Sequence, residues 1–337
     1  MTFSNKDNTI NRIFYFDAIR ALAIIFVILS HVAGPFLESN LHAHSNIAII
    51  SMSMGRFGVP LFFMISGALL LGREYPSINS FLKKRFLRII YPFIFWMIII
   101  AIRLIFYDKN INLLIKMLIG DSFTWFIYAL IGLYLFIPVL NAFIKEYSIK
   151  GVEYFLLIWA ITLIINMMNI GLPIADVYHL SLNHFYGFIG FFVLGYYISN
   201  KKFKLKKRTM LIIGLIITTI SLAVTIYITA ITSKPLNYIS IPVILQCIGL
   251  YLTIRYSSII NKISYNQIIG KITYSISRYS YGMYFSDVVV RGFLFFGLNL
   301  VNHSPKLIPI ILVVVVVLSW LPNYILGKIP VLAKFSG

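Results

Sequence analysis

Three residues in the first apolar stretch of the chain, Asp17, Arg20 and His31, are of types that bind anions or move protons. Arg20 and His31 are eleven positions apart, which places them within about 20° of one helix face and roughly 16 Å apart along the axis. Asp17 precedes Arg20 by three residues and can pair with it. One helix face would then carry a fixed cation near the cytoplasmic entrance and a titratable base deeper in. A structural Asp17–Arg20 pair beside a hydrogen-bonded histidine fits the same spacing.

A second basic group lies at the start of another apolar stretch. Arg85 and Arg88 share a helix face at a spacing of three, and Lys83 and Lys84 adjoin them. Guanidinium groups bind phosphate oxygens in a bidentate manner, so this pair suits a phosphorylated cytoplasmic ligand. Anchoring to lipid headgroups explains the same residues equally well.

Ionisable residues also occur inside apolar stretches, where they are costly and mark functional positions by default. Arg56 must face the protein interior, and with Ser66 it is a candidate for stabilising an oxyanion. Asp287 and Arg291 are four residues apart, and mutual neutralisation is the simplest interpretation of that pair.

The composition indicates which elements must position these side chains. Of 337 residues, 60% are hydrophobic and 12% are charged, against about 25% charged in a soluble domain. Apolar stretches of spanning length recur, which predicts an all-α integral membrane protein, a single domain over residues 1–337. About ten transmembrane helices are predicted, at residues 13–36, 47–72, 88–107, 123–144, 153–172, 184–199, 209–232, 239–260, 279–300 and 307–329. Residues 111–119 are too short to cross and are expected at the interface.

The net charge of +19 reports the orientation of the chain in the membrane rather than binding to nucleic acid. With both termini in the cytoplasm, inner segments hold 21 lysines and arginines and outer segments hold four. That asymmetry follows the positive-inside rule and predicts a multi-pass protein of the cell membrane, in contact with its lipids. The single cysteine, Cys247, excludes an intrachain disulfide and a multi-cysteine metal site, and no metal site is predicted.

Taken in order, five segments resemble the membrane acyltransferase-3 family over most of the chain. The opening segment has arginine and histidine separated by ten residues, the third has the basic pair, and the last is rich in tyrosine. The segments are residues 16–31 (FDAIRALAIIFVILSH), 59–67 (VPLFFMISG), 85–92 (RFLRIIYP), 125–138 (WFIYALIGLYLFIP) and 280–284 (SYGMY). Each motif alone is weak, and their conjunction is specific. Family members usually have a histidine shortly after the last motif, where this chain has Asp287, so no family role carries over to that position.

The resemblance implies acyl-CoA as co-substrate and a hydroxyl of a surface glycan or lipid-linked sugar as acceptor, with acetyl the commonest acyl group. On this hypothesis Arg85, Arg88 and Arg20 hold the CoA phosphates. The pantetheine arm extends along one interior channel to His31, which shares the catalytic face with Arg20. His31 acts as a general base or forms an acyl-histidine. A non-enzymatic flippase of a lipid-linked saccharide and a scaffold of a polysaccharide-synthesis complex are the alternatives.

Overall fold

A computed structural model describes residues 13–39, 45–107, 109–120, 123–168 and 182–337 of the chain. Over these ranges the protein is helical and contains no β-strand, which confirms the all-α prediction. The α-helices are α1 (Phe14–Glu38), α2 (Asn46–Gly55), α3 (Gly58–Leu70), α4 (Ile78–Phe106), α5 (Ile111–Leu118), α6 (Trp125–Met168), α7 (Ile189–Asn200), α8 (Lys207–Thr232), α9 (Ile241–Tyr256), α10 (Ser258–Tyr265), α11 (Gln267–Gly292) and α12 (Ile308–Lys328).

Six helical segments in the described part of the chain are long and apolar enough to cross a membrane. They are α1, α4, α6, α8, the pair α2–α3, and α12 with the turn before it, and α7 and α9 are shorter apolar helices. The backbone of α6 leaves helical geometry at Ser148 (φ 54°, ψ −148°), so its 44 residues form two helices. They cover most of the predicted spans 123–144 and 153–172, and residues 169–172 lie outside the described ranges. The apolar helices fit a membrane protein. The count of about ten spans and the cytoplasmic termini stay predictions.

Helix ends differ from the prediction where polar residues begin a helix. The ninth span was expected from residue 279, but α11 begins at Gln267, where the Asn266 side chain accepts hydrogen bonds from two backbone N–H groups. α4 likewise begins at Ile78, capped by Ser77, rather than at residue 88. An asparagine or serine cap satisfies the free N–H groups of the first turn, and hydropathy does not register it. Both basic residues of the 85–88 motif therefore lie within a helix.

The first helix, α1, lies at the centre of the bundle and packs against α2, α3, α11 and α12. Ile24 and Ile28 of α1 are fully buried. Gly55 lies directly against Ser30, and Gly58 lies directly against Val27. A Cβ atom at either glycine would collide with α1, so the two glycines let the α2–α3 chain run antiparallel to α1 at close range. Both Arg20 and His31 are thereby carried on a helix that is largely enclosed by its neighbours.

Candidate active site

A cavity of about 260 Å³ lies among α1, α3, α4, α6 and α11. Its lining is rich in arginine and also includes serine and tyrosine side chains from three helices. The polar lining residues are Arg20, Ser66, Arg73, Arg85, Arg88, Tyr134, Ser277, Arg278, Ser280, Tyr281 and Tyr284. The structure thus brings together Arg20, Arg85, Arg88 and Ser66, four of the residues singled out in the sequence.

Five arginines line the cavity and concentrate positive charge there. Within the described ranges, Arg73, Arg85 and Arg88 form no salt bridge. The Nε atom of Arg85 is buried and has no hydrogen-bond partner there, while its guanidinium carbon lies 5.8 Å from the Phe81 ring centroid. Such groups are stabilised by anions that bring several acceptor oxygens, as phosphates do. Lys83 and Lys84 are exposed and do not line the cavity.

At the cavity rim, Tyr75 does not offset this positive charge. Its hydroxyl donates a hydrogen bond to the Leu70 carbonyl oxygen at 2.7 Å. Burial raises the pKa of Tyr75 above its ordinary value, so the phenol stays neutral near pH 7.

Asp17 joins α1 to α11 beside the cavity. Its side chain is buried, and Oδ1 accepts a hydrogen bond from the Ser277 hydroxyl at 2.8 Å. A buried carboxylate requires such donors, because leaving it unsatisfied in a low dielectric is costly. Asp17 therefore contributes to fixing the helix that carries Arg20 and His31 against the helix that carries Asp287.

His31, Asp287 and Arg291 form one hydrogen-bonded cluster, called here the histidine cluster. His31 Nδ1 lies 2.7 Å from Asp287 Oδ2, and Arg291 Nε donates to the same oxygen at 3.0 Å. The Asp287 side chain has no exposed surface, whereas that of His31 is 22% exposed. A carboxylate on Nδ1 favours the tautomer with its proton there, which leaves the Nε2 lone pair free to accept a proton.

The histidine cluster was only partly predicted. The expected Asp287–Arg291 pair forms, but mutual neutralisation is an incomplete description because His31 shares the same carboxylate. His31 and Asp287 are 256 positions apart. No spacing rule within one helix identifies that contact, and Asp287 stands where the resemblance offered no role. The one signal in the sequence was that Asp287 stands where members of the family usually have a histidine.

The arginine cavity, as the described residues line it, does not extend to His31. His31 is not among the residues that line the cavity, whereas Tyr284 is. The Tyr284 ring lies 6.2 Å from the His31 ring, and its hydroxyl donates to the Phe123 carbonyl. Tyr284 therefore borders both the cavity and the surroundings of His31. The arginine cavity and the histidine cluster are therefore neighbours that share Tyr284, and a channel that joins them stays a prediction.

Arg56 lies outside the cavity, at the break between α2 and α3. Its guanidinium carbon is 4.5 Å from the centroid of the Tyr238 ring. Of the two residues considered for an oxyanion, the structure therefore places Ser66 in the cavity and Arg56 elsewhere.

No group of three or more His, Cys, Asp or Glu side chains suited to a metal ion occurs within the described ranges. Cys247 is fully buried, and its thiol lies 3.9 Å from the Phe57 carbonyl oxygen. These surroundings are those of a packing residue.

Comparison with known proteins gives one match. A family model described as "Acyltransferase domain" matches residues 13–324, which is most of the chain. Neither the curated proteins nor the solved structures gave a significant match. The matched range includes the cavity and all three residues of the histidine cluster.

Proposed function

The chain belongs to the acyltransferase-3 family, and on that premise we propose that it transfers an acyl group from cytoplasmic acyl-CoA to a saccharide hydroxyl at the cell membrane. Acetyl is the proposed acyl group, and a surface polysaccharide or lipid-linked saccharide is the proposed acceptor. The family assignment itself supports a membrane acyltransferase. One observation carries the finer proposal, namely that a cavity lined by five arginines adjoins a histidine held by a buried carboxylate.

Donor binding is assigned to the arginine cavity. Arg85, Arg88 and Arg20 would contact the phosphates of CoA, since guanidinium forks match phosphate oxygens. The volume of about 260 Å³ lies below the roughly 300–1,000 Å³ of typical ligand pockets. It therefore accommodates one part of the donor, and the thioester end would extend past Tyr284 toward His31.

Proton transfer is assigned to the histidine cluster. His31 Nε2 would accept the proton of the acceptor hydroxyl while that oxygen attacks the thioester carbonyl. The carbon–sulfur bond then breaks, and the imidazolium returns the proton to the departing CoA thiolate. Asp287 orients the ring and stabilises the imidazolium, and Arg291 favours the charged form of Asp287. An acyl-histidine on Nε2 is the covalent variant of the same arrangement. Ser66 is the remaining candidate for a hydrogen bond to the oxyanion.

The test is acyl transfer by purified protein in lipid nanodiscs, from radiolabelled acetyl-CoA to a saccharide acceptor. We expect His31→Ala to lower transfer by about 10²–10⁴-fold, the usual contribution of a general base. CoA should still raise the melting temperature of this variant. His303→Ala, at an exposed histidine, is the matched control and should retain wild-type transfer.

Two outcomes would contradict the proposal in different ways. Wild-type transfer by His31→Ala would remove His31 from the chemistry. Absence of any CoA effect on the melting temperature of the wild-type protein would instead favour a flippase, because a flippase has no use for that nucleotide.

A further inference from the structure

Beyond the arginine cavity lies a second group of aromatic side chains with one cation, which neither donor binding nor proton transfer uses. We define the distal aromatic cluster as Trp125, Phe188 and Tyr238. Trp125 and Phe188 are stacked, with ring centroids 5.1 Å apart and an interplanar angle of 29°. Tyr238 lies 5.7 Å from Trp125 and 6.4 Å from Phe188. All three side chains are partly exposed, so the cluster is not simply core packing.

The distal aromatic cluster lies beyond one end of the arginine cavity, namely the end nearer to His31. On the α3 side, cavity residues run from Phe62 to Arg73, and Arg56 precedes them by more than a turn. On α6 they run from Phe126 to Tyr134, and Trp125 begins the helix just before them. Because Gly55 packs on Ser30, Arg56 is also level with the His31 turn of α1.

A line of ring contacts joins the cluster to His31. Trp125 lies 6.3 Å from Phe126, and Phe126 lies 5.2 Å from Tyr284. Tyr284 in turn lies 6.2 Å from the His31 ring. A molecule resting on the cluster would therefore be within a few sugar units of the proposed base.

Arg56 supplies the charge of this region. It forms no salt bridge within the described ranges, and its Nε atom is buried without a hydrogen-bond partner there. Its guanidinium carbon lies 4.5 Å from the centroid of the Tyr238 ring, over the face of that ring. A cation at membrane depth normally has a partner or marks a substrate pathway. A carboxylate or phosphate would complete its hydrogen bonds in a bidentate manner.

The two features together select a class of ligand. The flat C–H face of a sugar ring packs well on the electron-rich face of tryptophan or tyrosine, and its hydroxyls stay free at the edge. We propose that Arg56 and the distal aromatic cluster bind an acceptor saccharide that carries an acidic group, and so present a neighbouring hydroxyl to His31. This inference rests on the proposed function, because it identifies the acceptor side of the same reaction.

The test measures saccharide binding by calorimetry on full-length protein in nanodiscs. The three probes are tetragalacturonate, which carries carboxylates, maltotetraose phosphorylated at position 6, and neutral maltotetraose. We expect tighter binding of at least one acidic probe than of the neutral one. Arg56→Gln should weaken the preferred acidic probe by about 10- to 100-fold, since it removes a charge-assisted bidentate contact. The neutral probe should change less than about twofold.

Controls separate charge from folding. Arg56→Lys keeps the charge but not the bidentate fork, and should lie between wild type and Arg56→Gln. Arg255→Gln is the matched control, because Arg255 covers the Tyr256 ring at 5.1 Å on another helix and should have no effect. Trp125→Ala should weaken acidic and neutral probes alike, since it removes the stacking surface rather than the charge.

The inference is overturned if Arg56→Gln binds the acidic probes as tightly as wild type, or loses neutral and acidic probes equally. Comparing the two acidic probes distinguishes a carboxylate from a phosphate ligand. CoA binding is measured on the same samples. Loss of CoA binding with intact saccharide selectivity would refute the proposed function alone, and the reverse result would refute this inference alone.

Discussion

Arginine side chains have different surroundings in the cavity and in the histidine cluster. Around the cavity, Arg73 and Arg88 are exposed, and Arg85 has a buried Nε without a hydrogen-bond partner in the described structure. In the histidine cluster, Arg291 donates directly to Asp287, which His31 also contacts. Arg73, Arg85 and Arg88 form no salt bridge within the described ranges, whereas Arg291 is paired with Asp287.

This difference separates two tasks. Arginines without a carboxylate are available to bind the anionic part of a ligand. An arginine already paired to a buried aspartate instead controls the charge and orientation of its neighbours. If this holds, donor affinity and the chemical step should respond to different substitutions.

The largest effect is expected for Asp287→Asn. An asparagine of similar size cannot stabilise an imidazolium and no longer favours the His31 tautomer that leaves Nε2 free. We expect kcat for acyl transfer to fall by about 10²–10³-fold, with CoA affinity within about twofold of wild type. The measurement is a steady-state kinetic comparison with CoA titrations on the same preparations.

Asp287→Asn also leaves Arg291 without its carboxylate, so protein stability must be followed. The double variant Asp287→Asn/Arg291→Gln removes the orphaned charge and should recover melting temperature without recovering kcat. If Asp287→Asn weakens CoA binding as strongly as it lowers kcat, the two regions are not separable as argued here.

A smaller effect is expected for Arg85→Gln, and it should lower CoA affinity rather than kcat. Removing one charge-assisted phosphate contact costs about 1.5–3 kcal/mol, which corresponds to a loss of CoA affinity of about tenfold or more. At saturating donor, kcat should stay within about twofold of wild type. Titration of CoA and of dephospho-CoA measures the effect and reports which phosphate Arg85 contacts.

Lys83→Gln is the matched control for Arg85→Gln. Lys83 lies on the same helix rim with the same charge, but it is exposed and does not line the cavity. Equal losses in the two variants would indicate a diffuse electrostatic attraction, such as that of a lipid anchor, rather than a specific phosphate contact.

Many of the helices, and the parts of the site that lie within a single helix, could be predicted from sequence. The four-residue spacing identified the Asp287–Arg291 pair, which the structure contains. The basic pair Arg85 and Arg88 was recognisable because both residues belong to one helix. In each case the relevant distance is set by a single helix, whose dimensions hardly vary.

The remainder depended on how helices pack against one another. The His31–Asp287 contact joins α1 to α11, and Tyr284 from α11 lies between the cavity lining and the His31 ring. Arg56 was expected to serve the reaction centre, but the break between α2 and α3 directs it to Tyr238. Hydropathy does not indicate the order of the helices around α1 or the rotation of each helix about its own axis.

The smallest effect is expected for Ser277→Ala, which acts on both regions at once. Ser277 donates to Asp17 and so ties α1, with Arg20 and His31, to α11, with Asp287. Losing one hydrogen bond to a buried carboxylate should cost about 1–3 kcal/mol of stability. Because both regions depend on this helix pair, CoA affinity and kcat should each decline by less than about fivefold, alongside a lower melting temperature. Ser221→Ala is the control, since this buried serine lies outside the cavity and its hydroxyl bonds only within its own helix α8 among the described contacts. A decline confined to one of the two quantities would show that only one region depends on the α1–α11 contact.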